Sequence, residues 1–447
     1  MKLSTAALVI LFSHYTCLVG STGLREEFTW SRITYAIPES ELHRPKSAGL
    51  PKDEQKKSRD VVVFPDEFRV PSTGSTPTQD DGDINKEYIY ENNIPMSASR
   101  WKNKLFVTVP RRSKGIPSTL NYVPIDKPER HNVPLIPYPD LQTNAIKAPR
   151  GQEHIVSVNR PAVDVCDRLW MVDIGLINTL NNKTKVGPQR VVIIDLNSDK
   201  IIKTHNFKDS DLRPGTAISM TVVDVTADHC DDAYAYFPDL VGFGLLVYSL
   251  KQDDSWRVTH NYFYLEPQGG EFNIGGMPFQ WDDGIFSVAL TDQKSDGTRD
   301  AIFHAMAGTH LYSVSTKILR DKALATRSYH RNDFKVLGDR GPGSQTSATD
   351  LHKPTGIMFF NLVNQNAVGC WNTNKPFDRQ NFDIVQKNDT VMIYPSDMEI
   401  YKDDLIVLTN GMPIFLYSSL NYDKTNFRVW MNNVHEAVKG TVCENSN

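Results

Sequence analysis

The chain has 447 residues, 40 % of them hydrophobic and 23 % charged, with 49 basic against 53 acidic side chains and a formal net charge of -4. A chain this apolar buries enough surface to fold, which excludes wholesale disorder. The charge balance excludes the basic footprint of a nucleic-acid binder, and no run of eighteen apolar residues is present to span a membrane as a helix.

The N-terminus passes from one charge, Lys2, through an apolar stretch at 6–12 to small residues around Gly20 and Gly23. That order predicts a secretory signal peptide over 1–21, with a buried N-terminal strand as the alternative. Residues 22–85 read as an extended, partly disordered arm. Lys52 to Asp60 is a charge cluster, a Pro/Ser/Thr stretch at 71–77 leads into the acidic 79–83, and only 61–64 has strand character.

From 86 to the end the pattern becomes short paired apolar runs bounded by turn residues. These are 105–110 with 118–123, 169–174 with 190–195, 233–238 with 244–249, 301–306 with 310–314, 356–360 with 367–371, and 404–409 with 414–417. Six units starting roughly every 50 to 70 residues predict a repeat array of strands. The runs lack polar alternation, as strands buried on both faces do, and no segment sustains a helical period. The predicted fold class is all-β: a six-bladed β-propeller over 86–447, each unit the middle of a four-stranded blade and an inner strand lining a central channel. Two stacked sandwiches are the alternative.

Removal of the signal takes Cys17 with it and leaves Cys166, Cys230, Cys370 and Cys443. Four cysteines in an oxidising compartment predict two disulfides, with three connectivities open. Asn182 and Asn388 each open an Asn-x-Thr glycosylation sequon. No nucleophile elbow, zinc-binding His pair, phosphate loop or dinucleotide fingerprint is present. His304 and His310 flank one hairpin and are read as strand and turn residues, not metal ligands. The 81–85 segment begins like a calcium loop but lacks its later glycine and acidic residue. The polar 292–300 segment is read as a hairpin turn. No metal or cofactor is expected.

The residues at the repeat positions go further. Segments 104–111 and 115–120 resemble the first blade of the insect yellow / major royal jelly protein family, and 166–175, from Cys166 to Gly175, is similar to its second-blade strand. Segments 254–260, 284–286, 369–373 and 409–413 are similar to further family words, in order, so the resemblance spans 84–445. It implies a secreted, often glycosylated six-bladed propeller with roles in pigmentation, melanin chemistry, egg-coat hardening, food or saliva. Some members convert dopachrome, salivary relatives bind biogenic amines in the channel, and the royal jelly branch self-associates. The long arm and the segment from Arg111 to Lys114 depart from the pattern of the amine-binding relatives.

The resemblance also implies site residues. Asn410 and Met412 stand where amine-binding relatives present an Asn and an apolar side chain, although Asn410-Gly411 is also a hairpin-turn signal. Ser396 matches a hydroxyl position near the ligand, with loop hydrogen bonding as its alternative. Phe286 is placed over the ligand ring or in the core. Asp173 and Asp239 are expected at the ends of inner strands, as an amine counter-charge or the acid–base pair of a tautomerase, or as carboxylates satisfying loop amides. Trp170, Trp256 and Trp371 are expected to pack blades. Topology and resemblance together pair Cys166 with Cys230 and Cys370 with Cys443, the latter tying the tail to blade five. The expected partner is a small catechol or indole amine, with no nucleic acid and no membrane. Conversion of dopachrome, or self-association and cuticle or egg-coat partners, are the competing expectations.

Overall fold

The computed structural model describes residues 23–42 and 87–445. The expected signal peptide and residues 22 and 43–85 of the expected arm lie outside the described residues, as does residue 86. Six four-stranded antiparallel sheets follow one another around a central axis. Blade 1 begins with the inner strand Ser97–Trp101, blade 2 with Ala162–Val163, blade 3 with Val222–Asp224, blade 4 with Ile285–Leu290, blade 5 with Thr346–His352 and blade 6 with Pro395–Tyr401. Among the described residues the α-helices are short, six residues at most.

The predicted paired runs are the second and third strands of the blades, the ones packed on both faces. In blade 2 the strand Arg168–Asp173 is buried throughout. Side chains alternate across a strand, so Leu169 and Met171 join Phe106 and Leu120 of blade 1, whereas Trp170 and Val172 join Phe237 and Tyr248 of blade 3. Trp256 packs between blades 3 and 4, and Trp371 between blades 4 and 5. A strand with two apolar neighbours reads as a continuous apolar run, and that is what made the repeat visible. The 292–300 segment is the turn entering the blade 4 strand Asp300–Ala305. His304 is fully buried in that strand, its ring facing the Ala305 carbonyl.

Three expectations are corrected. Residues 414–417 are not a strand: they lie in the helix Met412–Tyr417, and the third strand of blade 6 is Phe427–Asn433. Gly411, at φ +60°, starts that helix, and its carbonyl accepts from the Ile414 N–H. Helix geometry overrides the apolar run because Pro413 suits a first helical turn and has no N–H to give a sheet. Second, the arm does not begin at 22. Arg25–Trp30 pairs antiparallel with Phe427–Asn433 as the outer strand of blade 6. Phe28 and Trp30 are fully buried there, and the Trp30 indole N–H donates to the Val133 carbonyl at 2.8 Å. Third, Asp173 and Asp239 end the second strands of blades 2 and 3, not inner strands.

The disulfides are Cys166–Cys230 and Cys370–Cys443. The first joins the turns between the first two strands of blades 2 and 3, and the second ties the tail after Val434–Ala437 to blade 5.

The N-terminal strand closes the ring, so its loss exposes a sheet edge and empties the seam between blades 6 and 1. Trp30→Ala is expected to lower stability by about 3–5 kcal/mol, read by denaturant unfolding. Lys424→Ala, exposed nearby, should stay within about 0.5 kcal/mol.

Candidate functional site

The inner strands enclose an axial channel divided into two chambers. The first opens at the N-terminal ends of the inner strands and has a volume of about 80 Å³. The second, at their C-terminal ends, has about 470 Å³. The narrower chamber carries the chemistry of a recognition site. The loops entering the inner strands supply Met96, Asn159, Arg160, Ser219, Trp281 and Tyr394, the blade 4 inner strand supplies Phe286, and the helix Met412–Tyr417 supplies Met412 and Leu416. Two aromatic rings, a phenol and two thioethers thus surround a slot whose charged lining includes Asp282, Asp283 and Arg112. Such walls accept a flat ring by dispersion and sulfur–aromatic contact.

The aromatic rim is built by the hairpin of Glu271–Ile274 and Met277–Gln280. Phe272 and Phe279 stack at 5.5 Å across it, and Trp281 lies 4.8 Å from Phe279 and 5.9 Å from Tyr394, edge to face. The Trp281 indole N–H donates to the Tyr417 hydroxyl at 2.7 Å, locking hairpin to helix.

Of the residues expected at the site, Phe286 and Met412 line the slot, 6 % and 4 % exposed. Asn410 is fully buried behind it. Its amide donates to the Pro95 carbonyl at 2.8 Å and reaches the Met96 sulfur at 3.5 Å, and its oxygen accepts from the Met412 N–H at 3.1 Å. Asn410 therefore holds two wall residues in place, and it is no hairpin turn. Ser396 is also buried behind the wall; its hydroxyl donates to the Leu408 carbonyl at 3.3 Å.

Asp173 and Asp239 line neither chamber. Asp173 accepts from the backbone N–H of Val156, Ser157 and Gly175, and Arg190 lies 3.3 Å from it. Asp239 accepts from the Ala217 and Gly242 N–H groups, the Thr216 hydroxyl and Arg257 at 2.6 Å. Both carboxylates satisfy loop amides, and Asp239 thereby positions the loop that supplies Ala217 and Ser219 to the slot. The sequons lie on the surface, with Asn182 and Asn388 both exposed.

Sequence reasoning did not single out Arg160, Asn159, Trp281 or Asp282. The signal available was an arginine before a proline, Arg160-Pro161, just ahead of an otherwise apolar strand. Its partners are distant in sequence: Asp397 lies 3.3 Å from the guanidinium, which also donates to the Ser396 carbonyl at 2.6 Å.

The second chamber is ringed by carboxylates that clasp neighbouring blades. Asp350 of blade 5 accepts from the Ile400 N–H at 2.7 Å, Asp397 of blade 6 from the Ala98 N–H at 3.2 Å, and Glu399 from the Arg100 N–H at 2.6 Å. Burial raises all three pKa values, Glu399 strongly and Asp350 to about 6. No group of three or more His, Cys, Asp or Glu residues that could hold a metal occurs among the described residues.

Fold and slot together define a six-bladed propeller with a small aromatic pocket at one mouth of its channel. The chain belongs to the major royal jelly protein family, whose model, described as "Major royal jelly protein", matches residues 156–443. It is 43 % identical over 359 residues to "L-dopachrome tautomerase yellow-f" of Drosophila melanogaster, covering 80 % of this chain and 83 % of that one. It is 36 % identical over 440 residues to "Protein yellow" of the same species, covering 98 % and 74 %. To "Protein yellow" of Drosophila yakuba it is 40 % identical over 361 residues, covering 80 % and 66 %. Among solved structures it is similar to that of U3-55K, with a TM-score of 0.42 and 10 % identity over 76 % of this chain and 95 % of that one, too distant to carry an argument.

The Asp350 pKa yields a sign-definite expectation. With a folded value of about 6 against 3.8, the fold binds this proton more tightly than the unfolded chain does. Its contribution to stability is complete below pH 3.8 and is lost as pH rises through 6. Asp350→Asn should flatten that part of the stability–pH curve and stabilise the protein at pH 7 by about 1–3 kcal/mol, measured by denaturant unfolding from pH 4 to 8.

Proposed function

We propose that this is a secreted, glycosylated yellow-family propeller that acts in pigmentation or cuticle biology by binding a small catechol or biogenic amine at the mouth of its channel. The observation that carries the reading is the slot itself: Phe286, Trp281 and Tyr394 with the thioethers of Met96 and Met412, and Asp282 and Asp283 in its lining. Apolar walls suit a flat ring, and lining carboxylates suit a cationic amine. Two disulfides, two exposed sequons and the signal-like 1–21 segment support secretion.

A second reading is dopachrome conversion, favoured by the relative named L-dopachrome tautomerase. Tautomerisation moves a proton without net redox change and needs only one or two proton-transfer groups. Asp282 and Asp283 are the carboxylates at the slot and the candidates for that transfer; Asp173 and Asp239 line neither chamber and hold loop amides instead.

The test is calorimetric titration of the secreted protein with dopamine, serotonin and octopamine, beside a dopachrome-decay assay. The expected outcome is saturable one-to-one binding, weakened about ten-fold in Phe286→Ala and in Met412→Ala, with decay no faster than without protein. Accelerated decay would move the reading to the enzyme. Silence in both assays would favour a self-associating structural protein of cuticle or egg coat.

A further inference from the structure

Among the described residues Arg160 alone lines both chambers, so its guanidinium is the floor of the aromatic slot. The side chain is 4 % exposed and held from four directions. One terminal nitrogen donates to the Ser396 carbonyl at 2.6 Å and the other to the Ser219 carbonyl at 3.3 Å. Nε lies 3.3 Å from the Asp397 carboxylate, and the guanidinium carbon sits 5.0 Å from the centre of the Phe286 ring. Asp397 is itself anchored by the Ala98 N–H.

A guanidinium has five N–H groups in one plane. The Ser219 and Ser396 carbonyls occupy one N–H on each terminal nitrogen, and Asp397 approaches Nε as an ion pair without a hydrogen bond, which leaves the second N–H of each terminal nitrogen for a ligand. Asp397 already balances the charge, so the floor calls for hydrogen-bond acceptors rather than for a counter-ion. Two N–H groups in a fixed fork match two neighbouring oxygens on a flat ring, whereas a single phenol oxygen uses only one.

We propose that Arg160 reads a pair of adjacent ring oxygens and thereby selects catechols and o-quinones over monophenols and unsubstituted aryl amines. This rests on the reading that the slot takes a small aromatic ligand, but the amine has no part in it. Arg160 is a specificity-determining residue in this scheme, and Phe286 keeps its plane.

The test uses amine-free probes on the full secreted chain. Calorimetry with 4-methylcatechol, p-cresol and p-toluate should show 4-methylcatechol bound at least about ten-fold more tightly than p-cresol. The ratio should fall to about one in Arg160→Met and survive in part in Arg160→Lys, which a merely structural role would not produce. Because Arg160 also joins strands, Phe286→Leu gives a second route: it should reduce the catechol-to-cresol ratio more than it weakens p-cresol. Equal affinity for 4-methylcatechol and p-cresol overturns the inference, and so does tighter binding of p-toluate. If dopamine binds but 4-methylcatechol does not, the amine reading stands and the role of Arg160 falls. If neither binds, both fall.

Discussion

The pairing of Arg25–Trp30 with Phe427–Asn433 is the constraint on which the rest depends. A propeller is a ring of sheets, each burying its two faces against its neighbours, and a ring that does not close leaves two faces exposed to water. Closing blade 6 with a strand from the other end of the chain gives the last sheet its fourth strand. Phe28 and Trp30 of that strand belong to the same apolar cluster as Met96, Phe286, Tyr394 and Met412. The seam that closes the ring and the walls of the slot are therefore one core. The Cys370–Cys443 disulfide holds the chain's other end against blades 5 and 6, where Cys443 is buried beside Val434 and Trp430.

Around the axis the problem is reversed: inner strands face a channel and cannot be apolar on both sides. Small hydroxyls and carboxylates join neighbouring blades there. The Ser219 hydroxyl donates to the Phe286 carbonyl, the Ser347 hydroxyl to the Pro395 carbonyl, and Ser287 meets Thr349. Buried polar groups with partners fix one arrangement, because any displacement leaves a donor or acceptor unpaired. Arg160 is the largest member of this belt, and it makes the slot blind. A pocket with such a floor is rigid before any ligand arrives, and a rigid pocket discriminates by geometry.

Most of the fold was legible in the sequence because strands packed on both faces leave continuous apolar runs. The second and third strands of blades 1 to 5 stood out for that reason. Inner strands such as Ala162–Val163 and Val222–Asp224 are short and polar-flanked, and carry no such signal. Residues 414–417 read as a strand because four apolar residues fit either period, and only Pro413 marks the helix Met412–Tyr417. The closing strand Arg25–Trp30 was hidden by the low-complexity stretch that follows it. At the site, the resemblance points to Phe286 and Met412, which line the slot, whereas Asp173 and Asp239 end second strands and not inner ones, because a run at a blade's middle looks the same as one at its inner edge.

The sequence by itself determined the all-β class, the repeat number, the family and the cysteines available for pairing, since each is written in local composition, spacing or words of a few residues. The tertiary structure alone decided what closes the ring, which carboxylates face the channel and which sit behind its walls, and that Arg160 forms the floor of the slot. Arg160 meets Ser219, Phe286 and Asp397 only when blades 2, 3, 4 and 6 converge on the axis. Contacts across 59 to 237 residues leave no local trace, because the physical requirement is met by geometry in space and not by neighbours along the chain.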